Sequence, residues 1–180
     1  MPSSPVPATG VLIRQLAPLD GAVYRDLRLR ALREHPDAFT SSLEEESARA
    51  LSWSVKRLEA DPARPHDFFL GAFVAGQLAG MVGLQGRYRA KERHNATVVG
   101  MYAAPEHAGL RLGGALMDAL LARARALPEL LQLDLTVTAG NARAEALYRN
   151  RGFVEFGRLE RAIRVGDTFY AKVHMLLVLR

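Results

Sequence analysis

The chain has 180 residues, 49% of them hydrophobic and 24% charged, which is the size and composition of a globular protein with one domain or two small ones. It contains no cysteine, which excludes disulfides, thiolate zinc sites and a cysteine nucleophile. The net charge of +5 favours anionic partners such as nucleic acid, phosphates or an anionic cofactor. The arginines are spread along the chain, however, and this distribution argues against a dedicated nucleic-acid surface.

The first nine residues differ from the rest of the sequence. Residues 1–9 contain three prolines and two serines and show no hydrophobic periodicity, so they predict a disordered leader. They also lack the charged and apolar regions of a secretory signal. No run of about 18 apolar residues follows, so we expect no transmembrane helix and a cytoplasmic location.

The first half of the chain predicts one strand followed by two helices. Residues 11–16 form a short strand pattern, and a helix opens at Leu19–Asp20 and ends before Pro36. A capping box of Ser42 and Glu45 starts the second helix, which is expected to run to about residue 60, although Ser41 with Glu44 is an alternative register. The stripe of the first helix that is predicted to face the core comprises Val23, Leu27, Arg30 or Ala31, and Glu34.

The second half is dominated by strands. Its predicted elements are two strands at 68–86 around a turn at Ala75–Gly76, a strand at 96–104, a helix at 113–127, a strand at 130–138, a helix at 141–150 closed by Gly152, and two final strands around Gly166–Asp167. Two strands separated by a single helix imply a right-handed parallel crossover. The sequence therefore predicts a mixed α/β sheet with one parallel pair, 96–104 and 130–138, at its centre.

A glycine-bearing segment, APEHAGLRLGG, joins the strand at 96–104 to the helix at 113–127. The start of a helix offers unpaired N–H groups and the positive end of the helix dipole, which suit a pyrophosphate. This signal is weak when it stands alone, because glycines often precede helices for reasons of packing.

The helix at 141–150 carries a more specific pattern. Asn141 and Tyr148 differ by about 20° around the helix and lie about 10 Å apart along it, with the small Ala144 between them. Taken singly, the asparagine is typical of an N-cap and the tyrosine of half-buried packing. Together they indicate a helix face along which a ligand can lie.

These residues resemble a known family. The N-x-x-A-x-x-L-Y-x-x-x-G-F signature of the GNAT superfamily of N-acetyltransferases is reproduced by Asn141, Ala144, Leu147, Tyr148, Gly152 and Phe153. The segment 100–107 with its loop and helix resembles the acyl-CoA-binding motif of that superfamily, and 27–46 resembles the acceptor-side helix–loop–helix of its bacterial members. The resemblance covers the chain from Val11 onward and implies that 10–180 form a single GNAT-type acetyltransferase domain.

The resemblance implies both a fold and a reaction. The fold would be a mixed, mostly antiparallel sheet with helices on both faces, whose central parallel pair splays at a bulge near Gly100–Met101 to hold acyl-CoA. The reaction would move an acetyl group from acetyl-CoA, without a metal, to a primary amine of a small molecule or a protein. Tyr148 would protonate the departing CoA thiolate as general acid. Members of the family often form homodimers, but no feature of this sequence decides the oligomeric state.

The resemblance also assigns binding residues. Met101 and Ala103 would pair with the pantetheine arm through their backbone, an N–H of Met101 or Tyr102 would polarise the thioester carbonyl, and Asn141 would hydrogen-bond the pantetheine. The full cofactor-binding set is Met101, Tyr102, Ala103, Gly109, Leu110, Arg111, Leu112, Gly113, Gly114, Asn141, Ala144 and Tyr148. No family motif matches a general base, for which the candidates are His94, His107, Glu44, Glu45 and Glu46.

The pyrophosphate loop departs from the R/Q-x-x-G-x-G/A pattern of the family. Ala108 stands at its first position and Arg111 at its middle glycine, while Gly113 is retained. If position 111 needs a left-handed backbone, a residue other than glycine costs about 1–2 kcal/mol there. Arg111 then either contacts the phosphates or obstructs them. We hypothesise that binding is retained, because Asn141 and Tyr148 are both intact.

Two other functions compete with the enzyme. A non-catalytic acyl-CoA-binding module would explain the degenerate loop. A nucleic-acid binder would explain the basic charge, but the sequence lacks aromatic–basic interleaving and helix-turn-helix spacing, so we expect no such partner. The glutamates at 44–46 could attract a cationic amine, although their place in the first turn of a helix explains them as well, and we favour that explanation.

Overall fold

The computed structural model describes residues 10–180, so the leader predicted at 1–9 lies outside the described residues. Within this range seven strands form one sheet in the order β1-β2-β3-β4-β5-β7-β6. The strands are β1 Val11–Gln15, β2 Phe68–Val74, β3 Gln77–Gly86, β4 Asn95–Ala103, β5 Gln132–Thr138, β6 Val154–Val165 and β7 Thr168–Val178. The central neighbours β4 and β5 run parallel, and every other neighbouring pair of this sheet is antiparallel.

The described residues form five α-helices, which pack on the two faces of the sheet. They are α1 Gly21–Glu34, α2 Leu43–Ser47, α3 Leu51–Arg57, α4 Leu112–Ala126 and α5 Ala142–Arg149. Alternate residues of a strand point to opposite faces, so Leu70 and Ala72 of β2 join the core under α4, whereas Phe69 and Phe73 join the core under α1. The predicted fold class is confirmed. None of these helices is long and apolar enough to cross a bilayer.

The buried face of α1 differs from the predicted stripe. Val23 is 47% exposed, and the helix buries a neighbouring face made of Tyr24, Leu27, Arg28, Ala31 and Leu32. The predicted stripe offered Arg30 as an alternative to Ala31 and left out Arg28, whereas the helix buries Ala31 and Arg28 and not Arg30. Arg28 is buried, because the carboxylate of Glu46 lies 3.5 Å from its guanidinium group.

The helix expected from Ser42 to about residue 60 is two helices. Its start is confirmed: Ser42 Oγ accepts a hydrogen bond from the N–H of Glu45 at 3.1 Å, and the Glu45 carboxylate accepts one from the N–H of Ser42 at 2.9 Å. The backbone is extended at residue 50 and divides the segment into α2 and α3. Arg25 of α1 donates to the carbonyls of Ser47 and Arg49 at 2.9 and 2.8 Å, which satisfies acceptors at the break.

The centre of the sheet opens at the predicted place. The pairing of β3 with β4 is irregular next to Gly100, whose φ of +65° is a conformation that glycine adopts without strain. On its other side β4 pairs with β5 from Asn95 only as far as Thr97. Beyond Thr97 the strands no longer pair, and residues of both line a cavity between them.

Candidate active site

Two adjoining cavities lie at the opened centre of the sheet. The first, here called the wedge cavity, has a volume of about 390 Å³ and is bounded by the ends of β4 and β5, by α5, and by parts of α1 and α3. The second, here called the loop cavity, has a volume of about 640 Å³ and lies beside the segment that leads into α4. Met101, Asn141 and Ala144 line both of them. The two cavities therefore adjoin at these residues and are treated as two compartments of one candidate site.

Tyr148 lines the wedge cavity from α5. Its side chain is 6% exposed and packs edge to face on Phe153, with 6.0 Å between the ring centroids. Burial raises the pKa of the Tyr148 phenol to about 12, because a charged phenolate is disfavoured away from water. The phenol therefore keeps its proton at neutral pH.

Asn141 is the N-cap of α5 and also borders both cavities. Its Oδ1 accepts a hydrogen bond from the N–H of Ala144 at 3.1 Å. The cap uses only the oxygen of the side-chain amide, and the nitrogen is not required for it. Asn141, Ala144 and Tyr148 line the same wedge cavity, as their helical spacing predicts.

The segment before α4 forms a 3₁₀ turn, Pro105–Leu110, followed by Arg111 with φ 52° and ψ 37°. Position 111 therefore does adopt the left-handed backbone. Arg111, Gly113 and Gly114 line the loop cavity, where the first N–H groups of α4 have no carbonyl partner within the helix. The side chain of Leu112, in contrast, is buried in the core.

The remaining members of the predicted binding set are placed as follows. Ala103 and Tyr102 line the loop cavity from β4. The hydroxyl of Tyr102 donates to Glu34 at 2.5 Å, and burial is the main cause that raises the pKa of Tyr102. Gly109 and Leu110 lie in the 3₁₀ turn and line neither cavity.

The loop cavity is surrounded by positive charge. Arg111, Arg143 and Arg151 are among its lining residues. Arg151 is held by two hydrogen bonds to Asp118, at 2.8 and 3.0 Å. Within residues 10–180, Arg111 and Arg143 form no salt bridge, so their charges remain available to an anion.

None of the five candidate bases lines the wedge cavity. His94 precedes β4 and is exposed, and His107 lies in the 3₁₀ turn. Glu44 is exposed, Glu45 completes the capping box, and Glu46 is paired with an arginine of α1. Among the described residues that line this cavity there is no histidine or carboxylate. Nor is any group of three such residues in 10–180 placed to hold a metal ion.

Lys172 of β7 supports the site without lining it, and the sequence analysis missed it. Its Nζ donates to the carbonyls of Asp37 and Ala38 at 3.0 and 2.8 Å and to Thr138 Oγ1 at 2.8 Å. Ala38 lines both cavities. Burial lowers the pKa of Lys172, and the three acceptors satisfy its donors. A lysine in a strand that alternates apolar and polar residues gives no sign in the sequence that it hydrogen-bonds to distant residues.

Arg28 and Arg57 were also missed, and both line the wedge cavity. A signal for Arg28 was present. It follows Tyr24 by four residues and precedes Ala31 by three, so a stripe drawn through these two residues includes it. Arg57 ends α3, where a basic residue is explained equally well by the helix dipole.

The comparisons with known proteins agree with the fold and the site. Residues 29–153 match the model of the Acetyltransferase (GNAT) family, and the chain therefore belongs to the GNAT acetyltransferase family. The resemblance inferred from the sequence is confirmed. No curated protein is a significant match.

Solved structures cover nearly the whole chain. An acetyltransferase of the GNAT family from Streptococcus pneumoniae is 26% identical with a TM-score of 0.78, over 94% of this chain and 99% of that one. An acetyltransferase structure from Salmonella typhimurium, which contains its cofactor acetyl-CoA, is 20% identical with a TM-score of 0.75, over 95% of each chain. A ribosomal-protein-alanine N-acetyltransferase from Brucella melitensis is 23% identical with a TM-score of 0.72, over 93% of this chain and 99% of that one. The last two likenesses show a shared fold.

Proposed function

We propose that this protein is an N-acetyltransferase that moves the acetyl group of acetyl-CoA to a primary amine. The observation that carries the proposal is the end of β4–β5 pairing at Thr97, next to the face of α5 that bears Asn141 and Tyr148. The unpaired strand edges offer backbone groups to an extended ligand, and the helix face offers it a wall. Membership of the GNAT family and the acetyl-CoA bound in a relative of the same fold support this donor.

The donor would occupy both compartments. Its pantetheine arm would enter beside β4 and pair with the backbone of Met101 and Ala103, while Asn141 donates to it from α5. Its pyrophosphate would lie in the loop cavity, against the N–H groups at the start of α4 and the side chain of Arg111. The donor set fits an anion, because the first turn of α4 contains no acidic residue.

The chemistry is direct transfer within a complex of both substrates. The neutral amine nitrogen attacks the thioester carbonyl, whose developing negative charge is stabilised by a backbone N–H of β4. The new C–N bond forms and the C–S bond breaks. The thiolate takes the proton of the Tyr148 hydroxyl, and the proton lost by the amine passes to water and returns to the tyrosinate. Positioning of the two substrates supplies much of the acceleration.

The donor is tested by calorimetric titration of the purified protein with acetyl-CoA at moderate salt. We expect saturable binding with one site per chain. The absence of binding up to millimolar concentrations would mean that Ala108 and Arg111 have removed the site, and the proposal would then fail. Binding without turnover of any amine would favour the non-catalytic acyl-CoA-binding module.

The role of Tyr148 is tested by Tyr148→Phe. We expect kcat to fall about 100-fold or more, since a general acid contributes about 10²–10⁴-fold, while the dissociation constant for acetyl-CoA stays within about twofold. Tyr170→Phe is the matched control, because this tyrosine lines neither cavity. An unchanged kcat in Tyr148→Phe would exclude Tyr148 as the acid.

A further inference from the structure

One part of the wall of the wedge cavity comes from α1 and α3 and carries two arginines. Arg28 of α1 and Arg57 of α3 line the cavity together with Tyr148 and Met101. The side chain of Arg28 is nine-tenths buried. The cavity therefore brings two cations to the compartment that also contains the proposed acid.

Both guanidinium groups have a donor that the protein does not satisfy. Within residues 10–180, Nη1 of Arg28 and Nε of Arg57 are buried and have no hydrogen-bond partner. A buried charged donor without an acceptor is costly, and nearly all such groups in folded proteins are paired. Two such groups in the wall of one cavity leave it with more hydrogen-bond donors than the protein satisfies.

The charges of the cluster do not balance either. Glu46 is the acidic partner of Arg28, at 3.5 Å, and Arg57 forms no salt bridge among the described residues. Burial is the main cause that lowers the pKa of Arg28, and the charge of Arg57 lowers it further. A second anion would balance the charge of the two arginines.

Aromatic rings fix the orientation of both groups. The guanidinium carbon of Arg28 lies 4.6 Å from the ring centroid of Phe39. That of Arg57 lies 5.0 Å from the centroids of both Trp53 and Phe69. Rings contact guanidinium planes through their faces and accept no conventional hydrogen bond, so they do not satisfy the N–H groups. Stacking on these rings therefore positions the two guanidinium groups in the cavity wall.

We propose that the acceptor is a small amino acid, whose carboxylate binds Arg28 and Arg57 while its amine faces the acetyl group near Tyr148. This inference rests on the proposed function and names the acceptor class. A planar carboxylate with two oxygens matches guanidinium N–H groups, and the amino acid would share the cavity of about 390 Å³ with the acetylated end of the donor. The side chain of a protein lysine brings no carboxylate of its own into the cavity.

The proposal is consistent with the explanation favoured for residues 44–46, a role at the start of a helix. A cationic amine drawn by acidic residues would need a free carboxylate at the cavity. Glu46 is paired with Arg28, Glu45 is engaged in the capping box, and Glu44 is exposed on α2. The charge of the cavity wall is thus positive rather than negative, and it selects the anionic end of the acceptor.

The acceptor class is tested with matched substrates that differ in the anion. Release of CoA thiol is followed with free α-amino acids, with their α-amides, and with the corresponding alkylamines and aminoalkylphosphonates. We expect kcat/KM for at least one amino acid to exceed that of its amide by 100-fold or more. Equal or faster acetylation of the amide, the alkylamine, the phosphonate or a peptide α-amine would overturn the proposal.

Two variants test whether the arginines cause the preference for a carboxylate. Arg57→Gln is expected to raise KM for the amino acid at least 10-fold and to reduce its preference over the amide, with the dissociation constant for acetyl-CoA unchanged. Arg49→Gln is the matched control, because Arg49 lies 4.0 Å from the same Trp53 ring but does not line the cavity. Loss of the preference in both variants, or in neither, would contradict the assignment.

A binding measurement separates this inference from the proposed function. Trp53 is the sole tryptophan of the chain and lies against Arg57, so its fluorescence reports a ligand there without any turnover. We expect a saturable change with the amino acid, no change with its amide, and loss of the change in Arg57→Gln. If this result is obtained but no acetyl transfer occurs, the proposed function fails and the carboxylate site stands. If acetyl transfer occurs without a carboxylate preference or a fluorescence change, the proposed function stands and the carboxylate site fails.

Discussion

Arg111 shows how much a single residue of the loop determines. Its left-handed backbone, immediately before α4, is a conformation that side chains with a Cβ avoid. The family pattern has glycine at this position, and the geometry explains why. The sequence alone predicted the consequence of such a backbone but not the backbone itself, because φ at one loop residue depends on how the 3₁₀ turn meets the helix.

Replacement of Arg111 by glycine should stabilise the fold. The left-handed conformation costs a non-glycine residue about 1–2 kcal/mol, and the extra freedom of an unfolded glycine offsets about 0.5–1 kcal/mol of this. We expect the free energy of unfolding in urea to rise by about 0.5–1 kcal/mol. Arg125→Gly, at an exposed site within α4, should instead lower it by about 1 kcal/mol.

The same variant decides the role of the Arg111 side chain. Binding of acetyl-CoA that is weaker in Arg111→Gly would support a contact with the phosphates. Binding that is far tighter would identify the side chain as an obstruction. If the free energy of unfolding of Arg111→Gly fell as much as that of Arg125→Gly, the left-handed backbone at residue 111 would not be strained.

At the scale of elements, the start of α2 could be predicted from the sequence, whereas the break between α2 and α3 could not. The start of α2 was predictable, because a capping box is a local pattern of Ser42 and Glu45. The break after α2 was not, because the group that satisfies the carbonyls there is Arg25, on a different helix. The acidic partner of Arg28 could not be predicted for the same reason, since Glu46 lies 18 residues away on another helix, although the helical stripe itself includes Arg28.

The two capping registers that the sequence allows make different predictions for stability. In the structure Ser42, and not Ser41, is the N-cap of α2. Ser42→Ala should therefore lower the free energy of unfolding by about 1 kcal/mol, the usual value of such a cap, and Ser41→Ala should change it by less than about 0.5 kcal/mol. Thermal or urea unfolding of both variants checks this. The opposite order would assign the cap to Ser41 and Glu44.

At the scale of the whole molecule, the sheet with helices on both faces was predictable and the details of its centre were only partly so. Alternating strands, single-helix crossovers and a helix signature define the topology. The opening near Gly100 followed from the family resemblance. The positive wall of the wedge cavity could not be predicted, because Arg28 and Arg57 come from two helices whose approach is decided by packing.

Buried phenols should make the whole fold sensitive to alkali. Burial raises the pKa of Tyr148 to about 12 and is also the main cause that raises the pKa of Tyr24. An unfolded tyrosine titrates near about 10. The native state therefore holds protons that the unfolded state releases, so the stabilisation is complete below about pH 10 and is lost as the pH rises to about 12.

This linkage is measured by urea unfolding at several values between about pH 9 and 12. The free energy of unfolding should fall across the upper part of this range. The slope of this free energy against pH measures the number of protons released on unfolding. In Tyr148→Phe this number should be smaller by nearly one near about pH 11, so the decline should be less steep. Equal slopes in the two proteins would show that Tyr148 titrates alike in the folded and unfolded states.

The hydrogen bonds of Lys172 have a consequence for synthesis of the chain on the ribosome. The backbone at Asp37 and Ala38 is held by a side chain of β7, which is made 135 and 134 residues later. That strand also inserts between β5 and β6 and completes the sheet. A nascent chain that has not yet released β7 from the exit tunnel therefore has neither the completed sheet nor the hydrogen bonds that hold residues 37 and 38 at the cavities.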